Sequence, residues 1–455
     1  MLSSTSDRST FLSMGIAARE MIMTTHPTLT RRQFVQGALA GSLTAPLIVS
    51  ASALGGEAKE AASERINLGF IGLGKQNRGH LNHFLGQKDV QVVAVCEVDR
   101  TRREHAKKTV EDRYGKDKKT SFKGCAAYND FRELLGRADI DAVVIATPDH
   151  WHAIPVIEAC KAKKDIYCEK PLSLTIHEAR VMIDAVRKHD RVFQTGSQQR
   201  SSREFRDACE RVRSGRIGKV KQVLVDVGGP SKWCDLPEEK LEPGLDWDRW
   251  LGPAPLRGYN SVLSPRGVHN HFPNWRLYRE YSGGMMTDWG AHHFDIAQWG
   301  LGMDESGPVE IIPPEDPKAM RGVRYLYANG VEVIHQSSGG VKFVGTEGSI
   351  TVNRGKLMSD PKSILKEPLG KNDVHLYKSP GHQRDWLNCL RSRKKPICDV
   401  EIGARSVTVC HLGNLAYWYR KRLRWDPKKW MFVDDTGDPK WLDRERRDPY
   451  QLPTI

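Results

Sequence analysis

Arg65-Ile-Asn-Leu-Gly-Phe-Ile-Gly72-Leu-Gly74-Lys-Gln-Asn77-Arg78-Gly79 is the stretch on which the fold turns. Its first half is a short apolar strand. The glycines form a turn, and a helix follows through His80–Leu85. Strand, glycine turn and helix N-terminus together make a phosphate cradle, because unpaired backbone N–H groups and the helix dipole both favour an anion. Gly72 allows the tight turn and Gly74 lets the backbone approach a pyrophosphate. The spacing departs from G-x-G-x-x-G: Asn77 stands at the third glycine and a glycine arrives only at 79. Asn tolerates the left-handed region, so the turn is expected to survive. Gly72, Gly74, Asn77 and Arg78 are assigned to a dinucleotide.

A second strand, Val90–Cys96, ends in Glu97-Val-Asp99. An acidic side chain about 20 residues beyond the glycines is placed to bind the adenosine ribose. Glu97 is the expected ligand. It would repel a 2′-phosphate and so favours NAD, while Arg100, Arg102 and Arg103 keep NADP open. The alternation then continues. A charged helix runs near Arg100–Tyr114, followed by a polar loop, Gly115–Gly124, and a helix at Phe131–Leu135. Strands at Asp141–Ala146, Asp165–Cys168 and Arg191–Thr195 are separated by helices near His152–Ala162 and Thr175–Lys188. Such alternation means a doubly wound parallel sheet, whose ligands bind beyond the carboxyl ends of the strands. Thr147-Pro148-Asp-His150-Trp-His152 and Cys168-Glu169-Lys170-Pro171 lie at two of those ends. His150 and His152 with Asp149 carry metal-ligand chemistry. Because Pro148 breaks the strand, they are read instead as lining the cofactor crevice, and no metal is assigned.

Gly283-Gly-Met-Met-Thr-Asp288-Trp-Gly-Ala-His292-His-Phe-Asp295 reads as a helix after a glycine pair. On one continuous helix Asp288, His292 and Asp295 share a face. A carboxylate one turn before an imidazole can orient it as a general base. From Gly228 to Tyr281 the chain is rich in Pro, Gly and Trp. Trp233, Trp247, Trp250 and Trp275 suit stacking on sugar rings, although Trp247 and Trp250 are also spaced to pack a short helix. Trp275 and Arg276 are expected nearer the site. Beyond Gly300, short alternating segments read as strands at Val309–Ile312, Val323–Tyr327, Val331–His335, Lys342–Val344 and Ser349–Val352. Helices follow at Gly381–Ser392 and Ile402–Leu423.

At Glu169-Lys-Pro171 and Asp288-x-Gly-x-His292 the chain resembles the glucose–fructose oxidoreductase/inositol dehydrogenase (Gfo/Idh/MocA) family, from about Ile66 to the C-terminus. The resemblance implies a second domain with a mostly antiparallel open sheet. It implies Lys170 near the nicotinamide and the reacting hydroxyl, and acid/base roles for Asp288 and His292. Cofactor contacts are expected from Thr147, Pro148, His150, His152, Glu169, Lys170 and Gln198 as well as from the glycine turn. It also implies a small carbohydrate or polyol substrate and a homodimer or homotetramer. Related members include NAD-dependent glycosidases, so a redox-neutral glycosidase or lyase working through a transient keto-sugar stays open, as does a non-enzymatic dinucleotide-binding sensor.

The chain has 455 residues, a net charge of +14 and nine cysteines. Two folded domains are expected, 64–196 and 197–455. The positive charge is scattered, without the aromatic-interleaved stripe of a nucleic-acid interface. The odd cysteine count and the lack of C-x-x-C argue against a disulfide framework or zinc ribbon. Thr30-Arg-Arg-Gln-Phe34, a weakly apolar run and Ala51-Ser-Ala53 follow the order of a secretory signal. The paired arginines resemble a twin-arginine leader over residues 1–53, which implies that export machinery and a location outside the cytoplasm. The broken apolar run is a poor membrane anchor. Where no NAD pool exists to exchange with, the cofactor is expected to stay tightly bound.

Overall fold

Strand β1 (Ile66–Ile71) is buried along almost its whole length, as a central parallel strand covered on both faces must be. It is the first element of a computed structural model that describes residues 61–118 and 122–455. The leader expected at 1–53 lies outside those residues. Of the segment up to Glu64, residues 61–64 are described, and Ala62–Glu64 is one turn of 3-10 helix. Residues 65–455 form one compact unit.

In this unit β1 leads through helix α1 (Lys75–Leu85) to β2 (Val90–Cys96), α2 (Arg100–Lys118), β3 (Ala126–Tyr128), α3 (Phe131–Leu135) and β4 (Ala142–Ile145). Then come α4 (Ala153–Lys161), β5 (Asp165–Cys168), α5 (Ile176–Lys188) and β6 (Phe193–Thr195). The strands pair in the order β3-β2-β1-β4-β5-β6, all parallel. The order reverses between β1 and β4, which opens a crevice at their carboxyl ends. Two local readings are corrected. The α2 helix continues to Lys118, into the expected polar loop, and Ala126–Tyr128 adds an edge strand too short to show alternation.

Among the described residues the second sheet has nine strands. After α6 (Arg203–Arg213) come β7 (Val220–Val225), α7 (Trp247–Leu251), α8 (Met285–Asp288) and α9 (Gly290–Leu301). Strands β8 (Glu310–Ile312), β9 (Arg324–Leu326), β10 (Glu332–His335), β11 (Val341–Gly345), β12 (Ser349–Asn353) and β13 (Lys356–Asp360) follow. Helices α10 (Ser363–Lys366), α11 (His382–Ser392) and α12 (Val400–Tyr419) precede β14 (Leu423–Asp426) and β15 (Met431–Phe432). The order is β13-β12-β11-β7-β10-β9-β8-β14-β15, antiparallel except where β7 pairs with β10. Strands β13, β14 and β15 were not expected from the sequence. Leu423 starts β14 because the helix before it ends at Tyr419, where Arg420 turns left-handed.

The expected helix over 283–295 is broken. It splits at Trp289 into α8 and α9, so helical spacing across the break does not hold. Gly290 lets α9 approach α12 closely: a Cβ there would lie 2.7 Å from Cys410 Sγ. Asp295 then points away from Asp288. It is fully buried, takes two bonds from Arg200 Nε at 2.8 and 3.0 Å, and accepts from Ser406 Oγ at 2.6 Å. The shared face read from the sequence is therefore corrected for Asp295, which belongs to an internal ion cluster completed by Asp304.

Candidate active site

At the crevice, Gly72 has φ +78°, and a Cβ there would sit 2.9 Å from both Thr147 N and Thr147 Cγ2. Only glycine fits. Gly74 caps α1, and nothing lies within 4 Å of where its Cβ would be, so the turn is open to a ligand. Glu97 lines the crevice and also splints the turn, accepting from Leu73 N at 2.6 Å and Asp99 N at 3.0 Å. Thr147 and Pro148 line the same wall, and Thr147 Oγ1 is buried without a partner among the described residues. An open turn at a helix N-terminus, an acidic strand end and an unsatisfied hydroxyl fit a dinucleotide.

Four expected cofactor contacts are placed elsewhere. Asn77 is helical rather than left-handed. It is buried behind the turn and donates to Gly72 O at 2.7 Å and Ile71 O at 3.1 Å, so it braces the turn from within. Arg78 does not line the crevice; it donates to His269 O and Asn270 Oδ1 at its rim. His150 lies behind the wall, 3.1 Å from Trp250 O, and burial pushes it down to about 3. His152 lies between Pro171 O at 2.8 Å and Thr147 O at 2.9 Å, joining the two strand-end motifs. Both rings are buried against backbone carbonyls and do not line the crevice. Among the described residues no group of three His, Cys, Asp or Glu side chains is spaced to hold a metal ion.

Lys170, Asp288 and His292 all line one cleft of about 430 Å³ that continues from the glycine turn. Lys170 Nζ donates to Asp288 Oδ1 at 2.7 Å and to Asp288 O at 3.1 Å. Asp288 Oδ2 accepts from Arg276 at 2.7 Å. The carboxylate expected to orient His292 is thus shared by two cations. His292 has no hydrogen bond to it, and its Nδ1 is buried without a partner among the described residues. The cause is the break at Trp289, which removes the one-turn spacing. Burial pushes His292 well below its ordinary value, and Lys170 and Arg354 push the same way, so the ring is neutral. The Lys170–Pro171 bond is cis.

Glu169 is the hub behind Lys170. Its carboxylate accepts from His80 at 2.7 Å, Gln198 at 2.8 Å, Gln76 at 3.1 Å and the Lys170 backbone N–H at 3.1 Å. Burial pushes it up, but His80, Lys170 and Gln76 outweigh that and hold it at about 2. Asp149 is buried in the same cleft and accepts from Ser282 Oγ at 2.6 Å. Burial raises it to about 8 against that bond. Trp250 and Trp275 line the cleft, while Trp247 stacks on Trp250 at 4.7 Å and Trp233 is exposed beneath Arg279. Sequence reasoning missed His80, Gln76 and Arg354. For Arg354 the signal was available, an Asn353-Arg-Gly355 turn between alternating strands.

Residues 66–197 match the family model described as "Oxidoreductase family, NAD-binding Rossmann fold", and residues 229–452 match "Oxidoreductase family, C-terminal alpha/beta domain". Myo-inositol 2-dehydrogenase of Thermotoga maritima is 27% identical over 237 residues, covering 52% of this chain and 55% of that protein. Glycosyl hydrolase family 109 protein 2 of Shewanella sp. (strain ANA-3) is 37% identical over 122 residues, 27% of this chain and 26% of that protein. The chain spans about half or less of the length of these curated relatives. Among solved structures, aldose-aldose oxidoreductase from Caulobacter crescentus complexed with glycerol superposes with a TM-score of 0.53 at 18% identity, covering 79% of this chain and 99% of that one. Scyllo-inositol dehydrogenase from Lactobacillus casei with bound NAD(H) and scyllo-inositol gives 0.52 at 16% identity, with the same coverage. At such identities the likeness shows the fold.

Proposed function

Because this chain belongs to the Gfo/Idh/MocA oxidoreductase family and its first sheet is an NAD-binding Rossmann fold, we propose that it is a dehydrogenase acting on a sugar or polyol CH–OH group. The observation that carries the reading is the cluster of Lys170, Asp288 and Arg276 beside a neutral His292, in the cleft that continues from the glycine turn. NAD, when bound, accepts the hydride from the substrate carbon. Lys170 Nζ polarises the hydroxyl oxygen and stabilises its developing negative charge. His292, held neutral, accepts the hydroxyl proton. Asp288 fixes Lys170 and Arg276, and Glu169 holds the Lys170 backbone and Gln198. Trp250 and Trp275 give the cleft aromatic surface on which a sugar ring can stack.

The paired Arg31 and Arg32, with Phe34 and the small-residue site at 51–53, support export by the twin-arginine route to the periplasm. Export would leave no NAD pool to exchange with, so the chain would have to retain NAD and use a second substrate to recycle it, which predicts ping-pong kinetics. Homo-oligomerisation belongs to the same reading and is checked by sedimentation. The matches to glycosyl hydrolase family 109 proteins favour a second reading, redox-neutral cleavage of a glycosidic bond after transient oxidation of a ring carbon. Denaturing the purified full chain and separating the released nucleotide is the first test. Near-stoichiometric NAD(H) is expected, with reduction or bleaching of the bound nicotinamide on adding sugars. A chain that is empty and fails to take up added NAD overturns the dehydrogenase. Sugar release without net NADH selects the second reading. An unchanged cellular function in Lys170→Ala selects a non-catalytic sensor.

A further inference from the structure

The substrate end of the cleft carries more positive charge than the reaction uses. Lys170 and Arg276 share the single carboxylate of Asp288. Asp149 in the same cleft is raised to about 8 by burial, and the ionised Glu169 lies behind Lys170. A third cation, Arg354, enters from the turn between β12 and β13. Its guanidinium lies 4.6 Å from the Trp289 ring, and that ring is 6.0 Å from the His292 ring. Arg354 lines the same cleft as Lys170 and His292. Among the described residues it has no ion-pair partner and its side chain makes no hydrogen bond. Stacking on Trp289 holds the exposed guanidinium at the cleft mouth and leaves its N–H edge free of protein partners among the described residues. Arg354 is exposed at the cleft mouth, where the carboxylates of Asp288 and Glu169 act on it only through space. A planar anion beside it would accept two parallel N–H···O bonds from that edge.

We infer that the substrate is an anionic sugar, with its acidic group held by Arg354 on Trp289 while the reacting carbinol faces Lys170 and His292. The inference rests on the dehydrogenase reading and names the substrate class for that site. The shared chemistry is an oxyanion with at least two acceptor oxygens, and a carboxylate on the sugar or a sulfate or phosphate ester would each supply it.

The test uses the full chain with its nicotinamide loaded. Matched pairs are compared: glucose with glucuronate, galactose with galacturonate, and each neutral sugar with its 6-sulfate and 6-phosphate. Nicotinamide reduction gives kcat and KM, and calorimetry gives binding without turnover. The expected result is a preference for one anionic member of a pair by roughly tenfold to a hundredfold, the range of a charge-assisted contact. In Arg354→Gln the ratio of anionic to neutral kcat/KM falls by about that factor, mainly through KM. Arg354→Lys, which keeps the charge and loses the fork, falls between. Preference for the uronates identifies a carboxylate, and preference for the 6-esters identifies an ester anion. Turnover of the neutral sugars with no anionic preference overturns this inference and leaves the dehydrogenase standing, as does a ratio that Arg354→Gln does not change. No binding or turnover of any sugar by NAD-loaded protein overturns both.

Discussion

Replacing Asp288 by Asn removes one negative charge from between two positive ones and changes little else in shape. In the structure its two carboxylate oxygens lie 2.7 Å from Lys170 Nζ and 2.7 Å from Arg276. The carboxylate side chain is 5% exposed and Lys170 is 16% exposed. At an effective dielectric of about 20, the gross attraction of a unit pair at such a distance is roughly 4–6 kcal/mol. Desolvation offsets much of it, but removing one partner of a buried pair still costs about 3–5 kcal/mol, because the remaining charges face each other uncompensated. Asp288→Asn is therefore expected to destabilise by about 3 kcal/mol. Lys170→Met should cost less, since Arg276 still pairs with the carboxylate. The double variant should fall short of the sum by about 2 kcal/mol. Urea denaturation of the full-length single and double variants, at equal m values, measures this coupling without knowledge of the substrate. A parallel cycle of Asp288→Asn with His292→Gln is expected to be additive within about 0.5 kcal/mol, since the two side chains share no hydrogen bond. Coupling of Asp288 to His292 that exceeds its coupling to Lys170 would refute the arrangement and restore the carboxylate–imidazole pair.

Three further outcomes follow from the same geometry. Glu169 is held at about 2, below its unfolded value of about 4.3, so its contribution is complete above pH ~5 and is lost as pH falls towards 2. The gap in thermal midpoint between the native chain and Glu169→Gln should shrink from pH 5 to pH 3, and a constant gap would contradict the hub. Asp149 behaves oppositely: folded at about 8 against about 3.9 unfolded, it binds a proton that the unfolded chain has lost, so stability falls as pH rises from about 4 to about 8. Asp149→Asn should gain on the native chain across that range in urea midpoints, and parallel pH profiles would count against a buried neutral carboxyl. Gly72→Ala forces a Cβ to 2.9 Å from Thr147 at positive φ, so NAD affinity measured by calorimetry should drop by about tenfold or more, and native affinity would show that the turn is not the cradle.

Much of the first sheet was legible because its signals are local. Each buried strand is a short apolar run, each helix has its own period, and Gly72 is demanded by a turn three residues long. Lys170, Asp288 and His292 could be named, but their pairing could not. Reading Asp288 to His292 as one helical turn assumed an unbroken helix, and the approach of α9 to α12 at Gly290 sets a different course after Trp289. The partner of Asp288 stands 118 residues earlier in the chain, at the end of β5. Arg354 comes from a hairpin of the other sheet, and His150 and His152, read as crevice ligands, turn inward to backbone carbonyls of Trp250, Pro171 and Thr147. Sequence alone determined the strand–helix alternation, the phosphate turn and the kinds of side chain at the strand ends, because backbone geometry repeats over a few residues. Tertiary structure decided which charge meets which, because only packing brings distant side chains together and removes the water that would otherwise screen them.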